Sequence, residues 1–145
     1  MPSIDPDLFK IYGFWGSVLA LKLVGMIPLI ARYRFSKKIF VNPDDCDWIK
    51  GGKVLYNDPD IERVRRSHLN DLENIPIWYI VTLLWLTTEP SVWLASTLMK
   101  TFVLARIAHT LFYAVVLKQP HRLVSFFVGL FITIYQAIST LSYYA

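Results

Sequence analysis

Between Glu62 and Asn74 the chain reads Glu-Arg-Val-Arg-Arg-Ser-His-Leu-Asn-Asp-Leu-Glu-Asn and then runs directly into the apolar stretch Ile75 to Leu86. A dense set of charged and amide side chains leading into a membrane-type helix is costly unless something charged binds there. On a helix, at about 100° per residue, Arg63, Arg66, Asn70 and Glu73 share one face within roughly a quarter-turn. Guanidinium forks match carboxylates, an amide offers both donor and acceptor, and a single carboxylate takes an ammonium. The chemistry of this face is recognition of a small zwitterionic ligand with net negative charge. A metal ion or a nucleic acid fits it less well.

A second polar face lies further on, where Arg106, His109 and Tyr113 recur at spacings of three and four inside an otherwise apolar run. A charged residue inside a span faces the bundle interior or a wet cavity. Arg122 opens the last apolar run, close in sequence to the ends of these faces. The other reading of Arg122 is an arginine whose head reaches the membrane interface. His68, His109 and His121 show no metal-ligand spacing, and the one cysteine, Cys46, is distant from them, so no metal site is expected. No glycine-rich phosphate loop or serine-nucleophile motif is present. A lone cysteine allows no internal disulfide, and the neighbouring Asp44, Asp45 and Asp47 disfavour the thiolate of Cys46.

The elements that must carry these side chains follow from composition. Of 145 residues, 54% are hydrophobic, and the mean hydropathy is +0.40. Those values exclude an ordinary soluble domain and indicate a membrane protein. The pattern predicts an all-α membrane protein with helices over 9–34, 61–88, 91–117 and 121–144, joined by a long loop over 35–60, as one domain over 1–145. The first span lacks a basic leader and a small-residue cleavage site, so it is expected to remain as an anchor. The formal charge of +4 is concentrated in the connections between spans one and two and between spans three and four. The positive-inside rule puts these connections in the cytosol, and no nucleic-acid module accompanies them. Asp58 or Asp60 is expected to cap the second helix, and Pro76 to kink it. The stripe Ser125, Gly129, Thr133, Gln136, Thr140 on the last helix is expected to serve close packing. Short turns at Glu89-Pro90 and Gln119-Pro120 make neighbouring helices antiparallel, giving a four-helix transmembrane bundle.

The string from Glu62 to Asn74 resembles the signature of the MAPEG superfamily, membrane proteins of eicosanoid and glutathione metabolism. So do Ala105-Arg-Ile-Ala-His-Thr110 with Tyr113, Gln119-Pro-His-Arg122, Asn42-Pro-Asp-Asp-Cys46, and Lys22 and Arg34 in or near the first span. The resemblance covers essentially the whole chain. It is closest to the microsomal glutathione transferase branch, with the prostaglandin E synthase branch second.

The resemblance implies a homotrimer in which glutathione lies between helices of adjacent subunits, open to the cytosol. It implies a glutathione site formed or bordered by Arg34, Arg63, Arg65, Arg66, His68, Asn70, Glu73, His109, Tyr113 and Arg122. Arg65 lies about half a turn off the main face, so a contact with a neighbouring subunit or the loop is the alternative for it. Arg122 takes the position of the family's catalytic arginine, which stabilises the glutathione thiolate for attack on a hydrophobic electrophile or a lipid hydroperoxide. Cys46 matches a cysteine whose modification activates the transferase branch. Asp45 matches an aspartate assigned catalysis in the synthase branch, but both branches carry it. Leu69 and Leu123 stand where the synthase branch has a basic residue and a serine, which argues against prostaglandin synthesis. A third reading is a non-catalytic scaffold that presents lipid to a partner, although such a protein need not keep this polar face. The implied compartment is the endoplasmic reticulum or the outer mitochondrial membrane.

Overall fold

The computed structural model describes residues 4–145. Its first helix, α1, runs from Pro6 to Lys37. The chain start is set by Asp5, whose carboxylate accepts from the backbone N–H groups of Asp7 at 2.7 Å and Leu8 at 3.3 Å, with Pro6 in the first turn where a missing N–H costs nothing. The helix ends at Lys38, which turns left-handed (φ 55°) and returns its N–H to the carbonyls of Arg34 and Phe35.

The connection that follows is ordered. Strands β1 (Ile39–Phe40) and β2 (Lys53–Val54) pair in parallel, Ile39 opposite Lys53 and Phe40 opposite Val54. Between them, α2 spans Pro43–Asp47. Pro43 opens this short helix and Asp44 and Asp45 sit in its first turn, the end where acidic groups are favoured. Gly52 is required here: a Cβ at that position would lie 3.0 Å from both the Cys46 Cα and the Ile49 carbonyl oxygen. Helix α3 then spans Pro59–Leu86. Asp58 caps it, accepting from the N–H groups of Asp60 and Ile61, each at 3.1 Å. Helix α4 covers Val92–Thr110, passes into a π-helical turn at Leu111–Val115, and is followed by α5, Gln119–Tyr144.

The observed elements differ in detail from those expected of the sequence. The described residues form five α-helices, not four, because the Pro43–Asp47 segment closes a turn of its own inside the loop. Three helical segments, Pro6–Lys37, Val92–Val115 and Gln119–Tyr144, are long and apolar enough to cross a membrane. Helix α3 is equally long, but its first half carries the charged string. The third long helix does not run evenly to residue 117, since its last turn widens to π geometry. Pro76 lies inside α3, and the helix continues through it. The coarser expectation holds: the protein is mostly helical, and its apolar helices are those of a membrane protein.

In the bundle α1 packs on α3 and α4, and α5 packs on α4 and α3, so α1 and α5 stand at opposite corners. The core is aromatic at its centre. Trp78 is fully buried and stacks on Phe102, with ring centroids 4.7 Å apart and planes 6° from parallel. Gly16 lets α1 approach α3: the Tyr79 hydroxyl donates to the Gly16 carbonyl, and a Cβ at position 16 would lie 2.9 Å from Tyr79 Cε1. The Tyr12 hydroxyl donates in return to the Tyr79 carbonyl at 3.1 Å. The polar stripe of α5 is a packing surface, as expected. Gly129 accommodates Arg106 and Phe102, Gln136 accepts a bond from Thr82 at 2.9 Å, and Thr133 and Thr140 bond their own helix backbone.

One ion cluster ties the loop to the bundle. Lys37 donates to both oxygens of Asp58, at 2.9 and 3.0 Å, and also to Asp60, which Arg63 engages in turn. The Lys37 ammonium holds the carboxyls of Asp58 and Asp60 below the usual carboxylate range, with Arg63 adding to the effect at Asp60.

Three outcomes are expected. Gly16→Val should lower the thermal unfolding midpoint in detergent by the equivalent of about 2 kcal/mol, because the added side chain drives the Tyr79 ring off its hydrogen bond. Gly13→Ala, where a Cβ meets nothing within 4 Å, should leave that midpoint unchanged or raise it. Lys37→Met should speed amide hydrogen exchange across residues 39–58. The carboxyl pKa values are depressed on folding, so the tether is present above the ordinary carboxylate pKa of about 4 and is lost as pH falls through the depressed values. The difference between Lys37→Met and the parent should therefore be full at neutral pH and vanish in strong acid.

Candidate functional site

The charged string of α3 divides between the interior and the surface. Asp71 is fully buried. Its Oδ1 accepts from Arg106 Nη2 at 2.7 Å, and its Oδ2 accepts from Lys22 Nζ and from Thr110 Oγ1, the latter at 3.3 Å. Helices α1, α3 and α4 thus meet on one carboxylate. Arg106, only 1% exposed, sends the same Nη2 to Asn70 Oδ1 at 2.6 Å. Sequence reasoning noted Lys22 and Arg106 but passed over Asp71. The signal was available: two cations inside apolar spans require an anion at their depth, and Asp71 is the carboxylate of α3 that points inward when Glu73 points outward.

Of the site residues expected from the sequence, Arg66 and Glu73 stand exposed on the outer face of α3, and Asn70 is half-buried beside them. Arg65, also exposed, is occupied by Glu62, which accepts from its Nε at 2.9 Å and its Nη2 at 2.8 Å. Surface pairs of this kind contribute little stability, but they keep Arg65 away from the main face. Arg63 is half-buried against Asp60. His68 is half-buried and His109 is buried, each with an Nδ1 that has no hydrogen-bond partner among the described residues.

The end of the bundle brings a second group together. The His109 ring meets the Tyr113 ring edge-on at 5.5 Å, and the Arg122 guanidinium lies over the face of Tyr113, 4.4 Å from its centroid. That distance is within cation–π range. Tyr113 sits in the π-helical turn Leu111–Val115. Such turns change the direction of side chains relative to a regular helix and recur at functional sites. Arg63, Tyr113, Lys118, Gln119 and Arg122 line a cavity of about 240 Å³ here. It is a cationic cavity with an aromatic wall, suited to an anion.

A third group lies where the loop folds back on α1. Arg34 and Asp45 line a groove of about 440 Å³, whose remaining walls include Phe35, Phe40 and Trp48. Cys46, on α2 beside Asp45, is half-buried, with Sγ 3.9 Å from the Asn42 carbonyl. A single chain therefore presents the expected residues as three surfaces. Arg66, Asn70 and Glu73 form one, Arg63, Tyr113 and Arg122 another, and Arg34 and Asp45 the third. Among the described residues no group of His, Cys, Asp and Glu is arranged to hold a metal ion.

The sequence profile of the MAPEG family matches residues 12–142. Microsomal glutathione S-transferase 1 of Homo sapiens is 38% identical over 138 residues, covering 92% of this chain and 89% of the human protein. The protein of the same name from Rattus norvegicus is 36% identical over the same shares. Prostaglandin E synthase of Bos taurus is 31% identical over 106 residues, covering 73% of this chain and 69% of the bovine protein. With a profile match across nearly its whole length and relatives of this similarity, the chain belongs to the MAPEG family.

Proposed function

We propose that this protein is a membrane-bound glutathione transferase that joins glutathione to hydrophobic electrophiles and reduces lipid hydroperoxides. The observation that carries the reading is the Arg122 guanidinium, held over the Tyr113 ring at the mouth of a cationic cavity. Family membership and the similarity to proteins named microsomal glutathione S-transferase 1 support it. The chain acts as one MAPEG-like domain and assembles as a homotrimer in the endoplasmic reticulum membrane, with the site open to the cytosol. Support for assembly comes from the three separate surfaces. A neighbouring copy that brings Arg34 and Asp45 toward Arg66, Asn70 and Glu73 would complete a site that one chain leaves divided.

Glutathione carries two carboxylates and one ammonium. Arg66, Arg34 and Asn70 suit the anionic groups and Glu73 the ammonium, with His68, Arg63 and His109 at the border. The thiol gives its proton to solvent at the open site, and Arg122 stabilises the sulfur anion by charge and hydrogen bonding. The thiolate then attacks an electrophilic carbon, forming a C–S bond as the leaving group departs with its electron pair. With a hydroperoxide the thiolate takes the terminal oxygen, releasing the alcohol. A second glutathione then displaces that oxygen as water and closes the disulfide. Apolar substrates reach the thiolate from the bilayer. Cys46, half-buried beside Asp45, serves as the regulatory thiol. The prostaglandin synthase reading has less support because Leu69 and Leu123, both exposed, offer no polar contact.

The expected outcome is that Arg122→Ala keeps the fold and the assembly state of the parent, by size-exclusion chromatography and circular dichroism in detergent. Its turnover with an aromatic halide should fall about a hundredfold, the scale for loss of one group that stabilises developing charge. Turnover equal to the parent's would remove Arg122 from the mechanism. Conversion of a prostaglandin endoperoxide without any conjugate would favour the isomerase.

A further inference from the structure

Arg106 is buried, yet it determines what Asn70 can offer to a ligand. A guanidinium has donors and no acceptor. The oxygen and nitrogen of an amide are otherwise interchangeable in position, and the bonding network decides between them. Here the decision is forced, because an amide nitrogen turned toward Arg106 Nη2 would oppose donor to donor. Oδ1 therefore faces Arg106 at 2.6 Å, and Nδ2 points to the half-exposed side, where it donates to no protein group among the described residues.

The guanidinium is itself held. Its Nη2 is shared with Asp71 at 2.7 Å, and Asp71 is fixed on its other oxygen by Lys22 and Thr110. The Arg106 stem packs over Gly129, where even an added Cβ would come to 3.5 Å from its Cδ. The direction of the Asn70 amide is thus transmitted from three helices. We infer that Arg106 is a positioning residue for ligand recognition: it holds the Asn70 amide nitrogen outward, so that Asn70 reads an acceptor, a carboxylate or peptide carbonyl of glutathione, and not its ammonium. The inference rests on the glutathione reading above. It divides the labour of the outer α3 face, since Glu73 is then the group left to meet the ammonium.

A double-mutant cycle on the full chain in detergent tests this, with glutathione affinity read by calorimetry and turnover read at saturating glutathione. Asn70→Ala should weaken glutathione binding about tenfold, the scale of one hydrogen bond to a charged or strongly polar acceptor. Arg106→Met should weaken it by a similar factor, with the loss appearing in KM and little in kcat. The double variant should bind no worse than Asn70→Ala alone. A merely structural role for Arg106 would instead give losses that multiply, and that result would overturn the inference. Asn70→Asp gives a second reading that does not depend on how well Arg106→Met folds. Its carboxylate keeps Arg106 paired and so retains the thermal midpoint, but turns an acceptor outward. Glutathione affinity should fall at least tenfold, and parent-like affinity would sink the proposal. If the parent chain itself binds no glutathione, the functional reading fails and takes this inference with it. Binding by the parent with multiplying losses overturns the inference alone.

Discussion

A carboxylate with no water around it must find cations, and the structure is organised around one that does. Asp71 lies fully buried among apolar helices and accepts from Lys22 of α1, Arg106 of α4 and Thr110 of α4. Removing one partner from a buried pair leaves an uncompensated charge and costs about 3–5 kcal/mol. This makes the cluster selective more than it makes it strongly stabilising. A slip of α1 or α4 along α3 would separate the charges, whereas apolar contacts such as Trp78 on Phe102 tolerate small displacements. The cluster therefore sets the register of three helices at the depth of the charged string.

The outer site depends on that register. Asn70 and Asp71 are adjacent on α3, so fixing one inward orients the other toward the boundary. Two turns of sequence also place Arg66 and Glu73 on the exposed side. At the end of α4 the π-helical turn swings Tyr113 under Arg122, joining the start of α5 to the same region. The loop is tied down independently, through Lys37 with Asp58 and Asp60, and it carries Asp45 in a groove shared with Arg34, with Cys46 next in sequence. Rigid helices thus hold the polar side chains of the outer face, and a short, separately anchored segment holds Cys46.

Much of this was legible in the residues themselves. Apolar run lengths located the long helices, Asp58 and Asp60 were the two candidates for the cap of α3, of which Asp58 fills it, and the small and hydroxylated stripe of α5 proved to be packing. The charged string, with Arg106, His109, Tyr113 and Arg122, pointed to an anionic zwitterion and to the MAPEG family before any geometry was available. What was missed shares one cause: it depends on contacts between distant segments. Asp71 reads as one more polar residue until Lys22 and Arg106 are placed beside it. The Pro43–Asp47 helix and the β1–β2 pairing are too short to carry a periodic signal. The π turn has no sequence pattern separate from the helix it interrupts. The exposed Arg66 and Glu73, apart from Arg34 and Asp45, concern surfaces that one chain does not bring together.

The central claim is that the cationic surfaces bind glutathione and hold its sulfur as the anion. The most direct measurement is a titration of the purified protein in detergent with glutathione, following the ultraviolet absorbance of the thiolate at neutral pH and then adding an aromatic halide. The account predicts saturable growth of thiolate absorbance, followed by its loss as the conjugate forms. A folded protein that shows no glutathione binding and no thiolate would contradict it.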